Sequence, residues 1–89
     1  MDRSITLGDG VTVIPNAYAS EAAAGILFLY IEDPNATLKS VFDLLYDQPE
    51  MTARITSTEY GETNVFDGYT QLFSVRQESE RLITAGLRR

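Results

Sequence analysis

The six residues Ile26-Leu27-Phe28-Leu29-Tyr30-Ile31 constrain this chain more than any others. They are apolar at every position and rich in β-branched and aromatic types, which suits a buried strand. The run is far too short to span a bilayer as a helix. Side chains of a strand alternate between its faces. Ile26, Phe28 and Tyr30 therefore share one face, and Leu27, Leu29 and Ile31 share the other. Further along, Tyr69, Phe73 and Val75 oppose Leu72 in the same manner. A sheet built on these strands is apolar on both sides and needs two covers.

The flanking segments supply one cover. Thr37 reads as a helix N-cap. Leu38, Val41, Phe42 and Leu45 follow at i, i+3, i+4 and i+7, which places them on one face of a helix reaching about Asp47. That face packs on Leu27 and Leu29 to form the helix–sheet core. Before the apolar run, residues 4–7 and 11–14 read as a small hairpin around Gly8-Asp9-Gly10, closed by Pro15-Asn16. Residues 17–25 fit a helical turn, a loop or the start of a strand, and loop plus strand is preferred because so few residues do not nucleate a helix. Asp33-Pro34-Asn35 reads as a turn. Residues 52–60 alternate as a strand, Gly61-Glu62 turns, and residues 63–75 form a longer strand bulged at Asp67-Gly68. Glu78 to Arg81 turns into a last strand, 82–87, in which Gly86 marks an edge or a close approach. The expected fold is one α+β domain over residues 1–89, an antiparallel sheet of about five strands with one helix on one face, in the order β-β-α-β-β-β.

One helix covers one face. Either the sheet curls until its inner face closes on itself, or another protein chain lies on it. A domain of 89 residues buries only about two-thirds of its unfolded surface, so a partner that adds burial is favoured. Phe28, Tyr30, Tyr69 and Phe73 are the candidate interface residues.

Composition narrows the chemistry. The chain has no cysteine, no histidine and no tryptophan, and a single lysine. The usual nucleophilic thiolate, general base and transition-metal ligands are therefore missing. Thirteen acids oppose seven bases for a net charge of -6, which disfavours nucleic acid and anionic membranes as partners. Residues 1–50 hold eight acids against Arg3 and Lys39, and residues 51–89 hold five acids and five arginines. That asymmetry supplies solubility, or a complementary pair of surfaces between copies.

No motif reads as a catalytic or cofactor site. Asp43, Asp47 and Glu50 are acidic neighbours, but they lack the alternating ligands and glycine of a calcium loop. Gly8-Asp9-Gly10 lacks the helix and the Lys-Ser or Lys-Thr of a phosphate loop. Lys39 and Ser40 are adjacent on a helix and do not face each other. Asn35-Ala36-Thr37 matches a glycosylation acceptor, which matters only in a secreted protein. No apolar leader follows Met1-Asp2-Arg3-Ser4, so secretion through a signal peptide is not expected. No catalytic residue, metal or cofactor is expected.

Three stretches carry a resemblance. Leu38-Lys39-Ser40-Val41-Phe42-Asp43-Leu44-Leu45-Tyr46-Asp47, then Met51-Thr52-Ala53-Arg54-Ile55, then Phe66-Asp67-Gly68-Tyr69-Thr70-Gln71-Leu72 resemble small proteins encoded in tailed-phage and prophage genomes. Ile5-Thr6-Leu7-Gly8-Asp9-Gly10 and Ile14-Pro15-Asn16 look similar too. The end departs from that pattern: Ala85-Gly86-Leu87-Arg88-Arg89 stands in place of an alternating charged tail. The shared motifs are structural, so no functional residue carries over. The resemblance implies a non-enzymatic structural or accessory part in the tail or virion region, located in a virion or a bacterial host's cytoplasm. Its partners would be further copies of itself or other virion proteins. The alternative expectation is a small acidic regulatory module docking on a basic protein partner.

Overall fold

A computed structural model describes residues 2–33 and 35–89. The chain folds into two four-stranded antiparallel sheets that enclose one apolar core. Eight strands and two short helices run in the order β1 (Arg3–Thr6), β2 (Val13–Pro15), β3 (Ala17–Ala23), β4 (Ile26–Ile31), α1 (Leu38–Leu45), α2 (Pro49–Thr52), β5 (Arg54–Glu59), β6 (Glu62–Asp67), β7 (Gln71–Gln77) and β8 (Ile83–Arg88). One sheet has the order β2-β1-β5-β6 and the other β3-β4-β8-β7. The fold is thus mostly antiparallel sheet with a small helical part. The single sheet of about five strands is corrected to two sheets, the one helix to two short ones, and the order β-β-α-β-β-β gains further strands before and after the helical part.

Two features of the chain make the second sheet. The first is at Asn16, which has φ 55 and separates β2 from β3. Its N–H donates to the Arg3 carbonyl at 3.0 Å and its own carbonyl accepts from Glu32 at 2.8 Å. One residue in the left-handed region therefore carries the chain from one sheet to the other. The second is at Gly68, with φ 88, where the expected bulge is instead the crossing from β6 to β7. A residue with a side chain rarely adopts that angle, so glycine permits the turn. Residues 63–75 are consequently two strands in different sheets.

Local chemistry explains the remaining elements. The Asp9 carboxylate accepts from Val11 N–H at 3.0 Å, from Thr12 N–H at 2.9 Å and from the Thr12 hydroxyl at 2.6 Å. Those bonds favour the ionised form and hold its pKa below the usual value, the Thr12 hydroxyl contributing most. At the β5–β6 hairpin the two-residue loop is Tyr60-Gly61, both at positive φ, one residue earlier than Gly61-Glu62. Thr37 caps α1 in a reciprocal capping box with Ser40. The Asp33-Pro34-Asn35 turn falls partly on Pro34, outside the described residues, but Asn35 N–H donates to the Asp33 carboxylate at 3.0 Å. Residues 17–23 are strand, with Ala17 and Ala19 buried: cross-strand pairing overrides the helix preference of alanine.

The core fills with the inward faces of both sheets. Leu27, Leu29 and Ile31 of β4 lie at 1% exposure or less and meet Ile5, Ile55 and Leu87 in one cluster. The inner cover of the apolar strand is therefore the molecule's own second sheet. Ser57 of β5, fully buried, accepts the Ala19 N–H of edge strand β3 at 3.1 Å, so one sheet seals an edge of the other.

Helix α1 closes part of this core with Val41 and Leu45, both buried, and Leu44 packs beside them. Leu38 and Phe42 are corrected: they are 41% and 44% exposed. The buried arc of the helix is centred on Val41 and Leu45 with Leu44 on its flank, which turns Leu38 and Phe42 outward. Among the described residues no helix is long and apolar enough to cross a membrane.

Candidate aromatic and arginine surface

The outer face of the second sheet is built by cross-strand register. Tyr18 pairs with Tyr30, Tyr30 with Thr84 and Thr84 with Arg76. In the next row Ser20 pairs with Phe28, Phe28 with Gly86 and Gly86 with Ser74. A β-bulge between Leu72 and Ser74 makes Phe73 the extra residue of its strand. It joins the outer row, and it shifts the parity of the strand beyond it. Leu72 and Val75 both pack against the core. The expected alternation, with Phe73 and Val75 on one side and Leu72 on the other, is corrected accordingly.

These rows gather rings. Tyr18 and Tyr30 stack at 4.9 Å between centroids, Phe28 lies 6.4 Å from Tyr30, and Phe73 meets Phe28 edge-on at 6.0 Å. Such arrangements match the quadrupole preference of aromatic pairs. Gly86 makes them possible, because an added Cβ would lie 2.8 Å from the Phe73 ring and 3.1 Å from that of Phe28. Two arginines complete the surface. The Arg3 guanidinium stands 4.7 Å over Tyr18, and that of Arg88 stands 5.4 Å over Phe73. A groove of about 480 Å³ runs beside Phe28, Tyr30, Phe73, Arg76 and Thr84. Glu78 sits at its rim, accepting from the Thr84 hydroxyl at 3.0 Å with Arg76 3.7 Å away.

Three of the four candidate interface residues, Phe28, Tyr30 and Phe73, thus come together. Tyr69 does not, and is corrected to a core residue with no exposed area. Its hydroxyl donates to Glu21 and the Arg89 guanidinium lies 4.7 Å over its ring. The hydrogen bond to Glu21, aided by burial, raises the pKa of the phenol. Tyr69 ties the turn after β6 to the end of β3. It lies buried because Gly68 sends the chain inward between sheets, which a reading of residues 63–75 as one strand misses.

Sequence reasoning also missed Tyr18, Arg3 and Arg88. The alternation Ala17-Tyr18-Ala19-Ser20 was the available signal for Tyr18. A second exposed aromatic pair lies on α1 and its cap, where Phe42 and Tyr46 stack at 4.7 Å. Acids surround that pair in the chain: Asp43 and Glu50 are exposed and Asp47 directly follows Tyr46. The two aromatic areas adjoin at a depression lined by Tyr46, Asp47, Gln71, Leu72 and Arg88.

Among the described residues, no group of three histidine, cysteine, aspartate or glutamate side chains is placed to hold a metal ion. A cleft of about 870 Å³ between the start of α1 and the β7–β8 turn is broad, open and lined mostly by exposed polar side chains. No protein-family model, curated protein or solved structure matches the chain.

Proposed function

We propose that this chain is a non-enzymatic structural or accessory subunit that works by self-association through the aromatic and arginine surface. The observation that carries this reading is the composition of that surface. Interface centres are enriched in tyrosine, phenylalanine and arginine and depleted in lysine and acids. Here Tyr18, Phe28, Tyr30 and Phe73 lie together with Arg3, Arg76 and Arg88, in a chain of net charge -6.

The occupant that fits is another copy. The area around Phe42 and Tyr46 offers stacked rings beside Asp47 and an Asp43 that is paired with Lys39, the chemical complement of rings among arginines. The two areas adjoin at Arg88 and Asp47. A two-fold contact then sets the basic half of one copy on the acidic half of the other, twice over. The resemblance to small phage-encoded proteins supports a place for such a subunit in a virion or tail assembly. A second reading, an acidic module docking on a basic partner, draws on the same acids.

Size-exclusion chromatography with light scattering over a range of concentrations separates the two. Self-association gives a mass above that of the monomer that falls as salt is raised, because charge complementarity is screened. A monomer at every concentration overturns it and favours the acidic module.

A further inference from the structure

The sheets have four edge strands, and three of them are blunted. β2 has only three residues and ends in Pro15. β3 is sealed by Ser57. β7 carries the bulge at Phe73 and has α1 beside it. Short length, proline, bulges and covering elements are the devices by which native sheets avoid pairing with other chains.

β6 has none of them and carries charge only at its two ends, Glu62 and Asp67. It runs six residues, Glu62-Thr63-Asn64-Val65-Phe66-Asp67, in unbroken register with β5, without proline or lysine, and only Phe66 is partly buried. The two-residue hairpin loop makes Glu59 and Glu62 the closing pair, and the Gly68 N–H donates to the Ala53 carbonyl at 2.8 Å. Hydrogen bonds alternate along an antiparallel ladder. Glu62, Asn64 and Phe66 therefore bond to β5, and the backbone groups of Thr63, Val65 and Asp67 point to the open edge.

We propose that β6 pairs antiparallel with β6 of a second copy about a two-fold axis at Val65, joining two sheets into one. In that register Val65 exchanges both backbone bonds with Val65 of the second copy, and Thr63 exchanges them with Asp67. The Asp67 carbonyl also accepts from Arg89 Nε at 3.3 Å, and a carbonyl has a second lone pair for the Thr63 N–H of the second copy.

Side chains agree with this register. Val65 meets itself, Asn64 faces Phe66, and Thr63 faces Asp67, whose charge is matched by Arg54 at 3.0 Å within its own copy. No like charges oppose each other, which would be destabilising. Centring the axis at Thr63 instead runs the pairing past the Tyr60-Gly61 turn. Centring it at Asp67 demands pairing by Tyr69, which is buried. Axes at Asn64 or Phe66 leave Asp67 or Thr63 to face residues outside the strand, so the Val65 register is the one that pairs all three outward-facing residues of β6 with one another, and its self-complementarity is what selects a second copy over an unrelated extended peptide.

This edge is separate from the aromatic surface, and so is its test. The chain has no cysteine, so single cysteines report the register cleanly. Residues opposed in a hydrogen-bonded pair lie about 5.5 Å apart at Cα, within disulfide reach. Val65→Cys is expected to cross-link to itself under mild oxidation, and Thr63→Cys, which faces Asp67, is not. Val65→Pro removes only an outward N–H and leaves the β5 ladder intact. It should weaken this dimer by about tenfold or more, one donor being lost from each copy. Val65→Cys that cross-links no faster than Thr63→Cys, or a folded Val65→Pro/Phe28→Ser/Phe73→Ser variant that associates as Phe28→Ser/Phe73→Ser does, overturns the proposal. Cross-linking at Val65 that persists in a Phe28→Ser/Phe73→Ser variant upholds it whatever becomes of the aromatic surface.

Discussion

Ser57→Ala tests how the two sheets are held together. The Ser57 hydroxyl is fully buried and accepts the Ala19 N–H at 3.1 Å. Ala19 is itself 6% exposed, so water does not replace the lost acceptor. Leaving a buried donor unmade costs about 1–3 kcal/mol. For a domain of 60–100 residues each kcal/mol lowers Tm by about 4–8 °C, so a fall of roughly 5–20 °C is expected. Ser4→Ala, on the outer face of the same sheet, should stay within about 0.5 kcal/mol of wild type. Thermal melts followed by circular dichroism, with urea midpoints as a check, give both values. If Ser57→Ala melts with Ser4→Ala, the seal between β3 and β5 does not stabilise the fold and the account of how the sheets close is wrong.

Two other perturbations concern Tyr69 and Gly86. The raised pKa of Tyr69 means that the folded state holds this proton more tightly than the unfolded chain. Its contribution to stability is complete below the unfolded value near 10 and is lost as pH rises through the higher folded value. Urea titrations of wild type should show that alkaline loss, and Tyr69→Phe should lack this component of it; equal alkaline slopes would exclude the assignment. Gly86→Ala places a methyl 2.8 Å from the Phe73 ring, so the ring must retreat by about 0.7 Å to reach ordinary contact. The near-UV circular dichroism of the aromatic surface should change, with a cost towards the low end of about 1–3 kcal/mol for overpacking because the Phe73 ring is partly exposed, and superimposable spectra would contradict the packing described.

Much of this fold is legible in the sequence where local chemistry and burial agree. The alternation of β4 is one case: Leu27, Leu29 and Ile31 are buried and Ile26, Phe28 and Tyr30 are not fully so. The Thr37 cap and the hairpin at Gly8-Asp9-Gly10 are others. The second sheet was hidden because the two crossings into it occupy almost no sequence. At Asn16 a single residue changes sheets, and at Gly68 a glycine that reads as a bulge carries the chain between layers. Alanine at positions 17, 19, 22 and 23 masked β3, since local preference spoke for helix and tertiary pairing decided otherwise. The same hidden crossings explain the candidate site. Phe28 and Tyr30 follow from strand parity, Tyr69 was misplaced by the crossing before it, and Phe73 lies outward because of a bulge that periodicity does not reveal. The spacing of Phe42 from Leu38 and Leu45 is helical and points to the core, but spacing does not fix the rotation of a two-turn helix.

The proposed association covers the rings on the outer sheet face with another copy of the chain. Sedimentation velocity on wild type and on Phe28→Ser/Phe73→Ser tests it most directly. Both side chains lie on the outer face and Phe73 is 41% exposed, so the double variant should keep its far-UV circular dichroism. Wild type is expected to sediment faster as concentration rises, and the double variant to lose the part of that association which salt also weakens. Matching concentration and salt dependence in two folded proteins would contradict it.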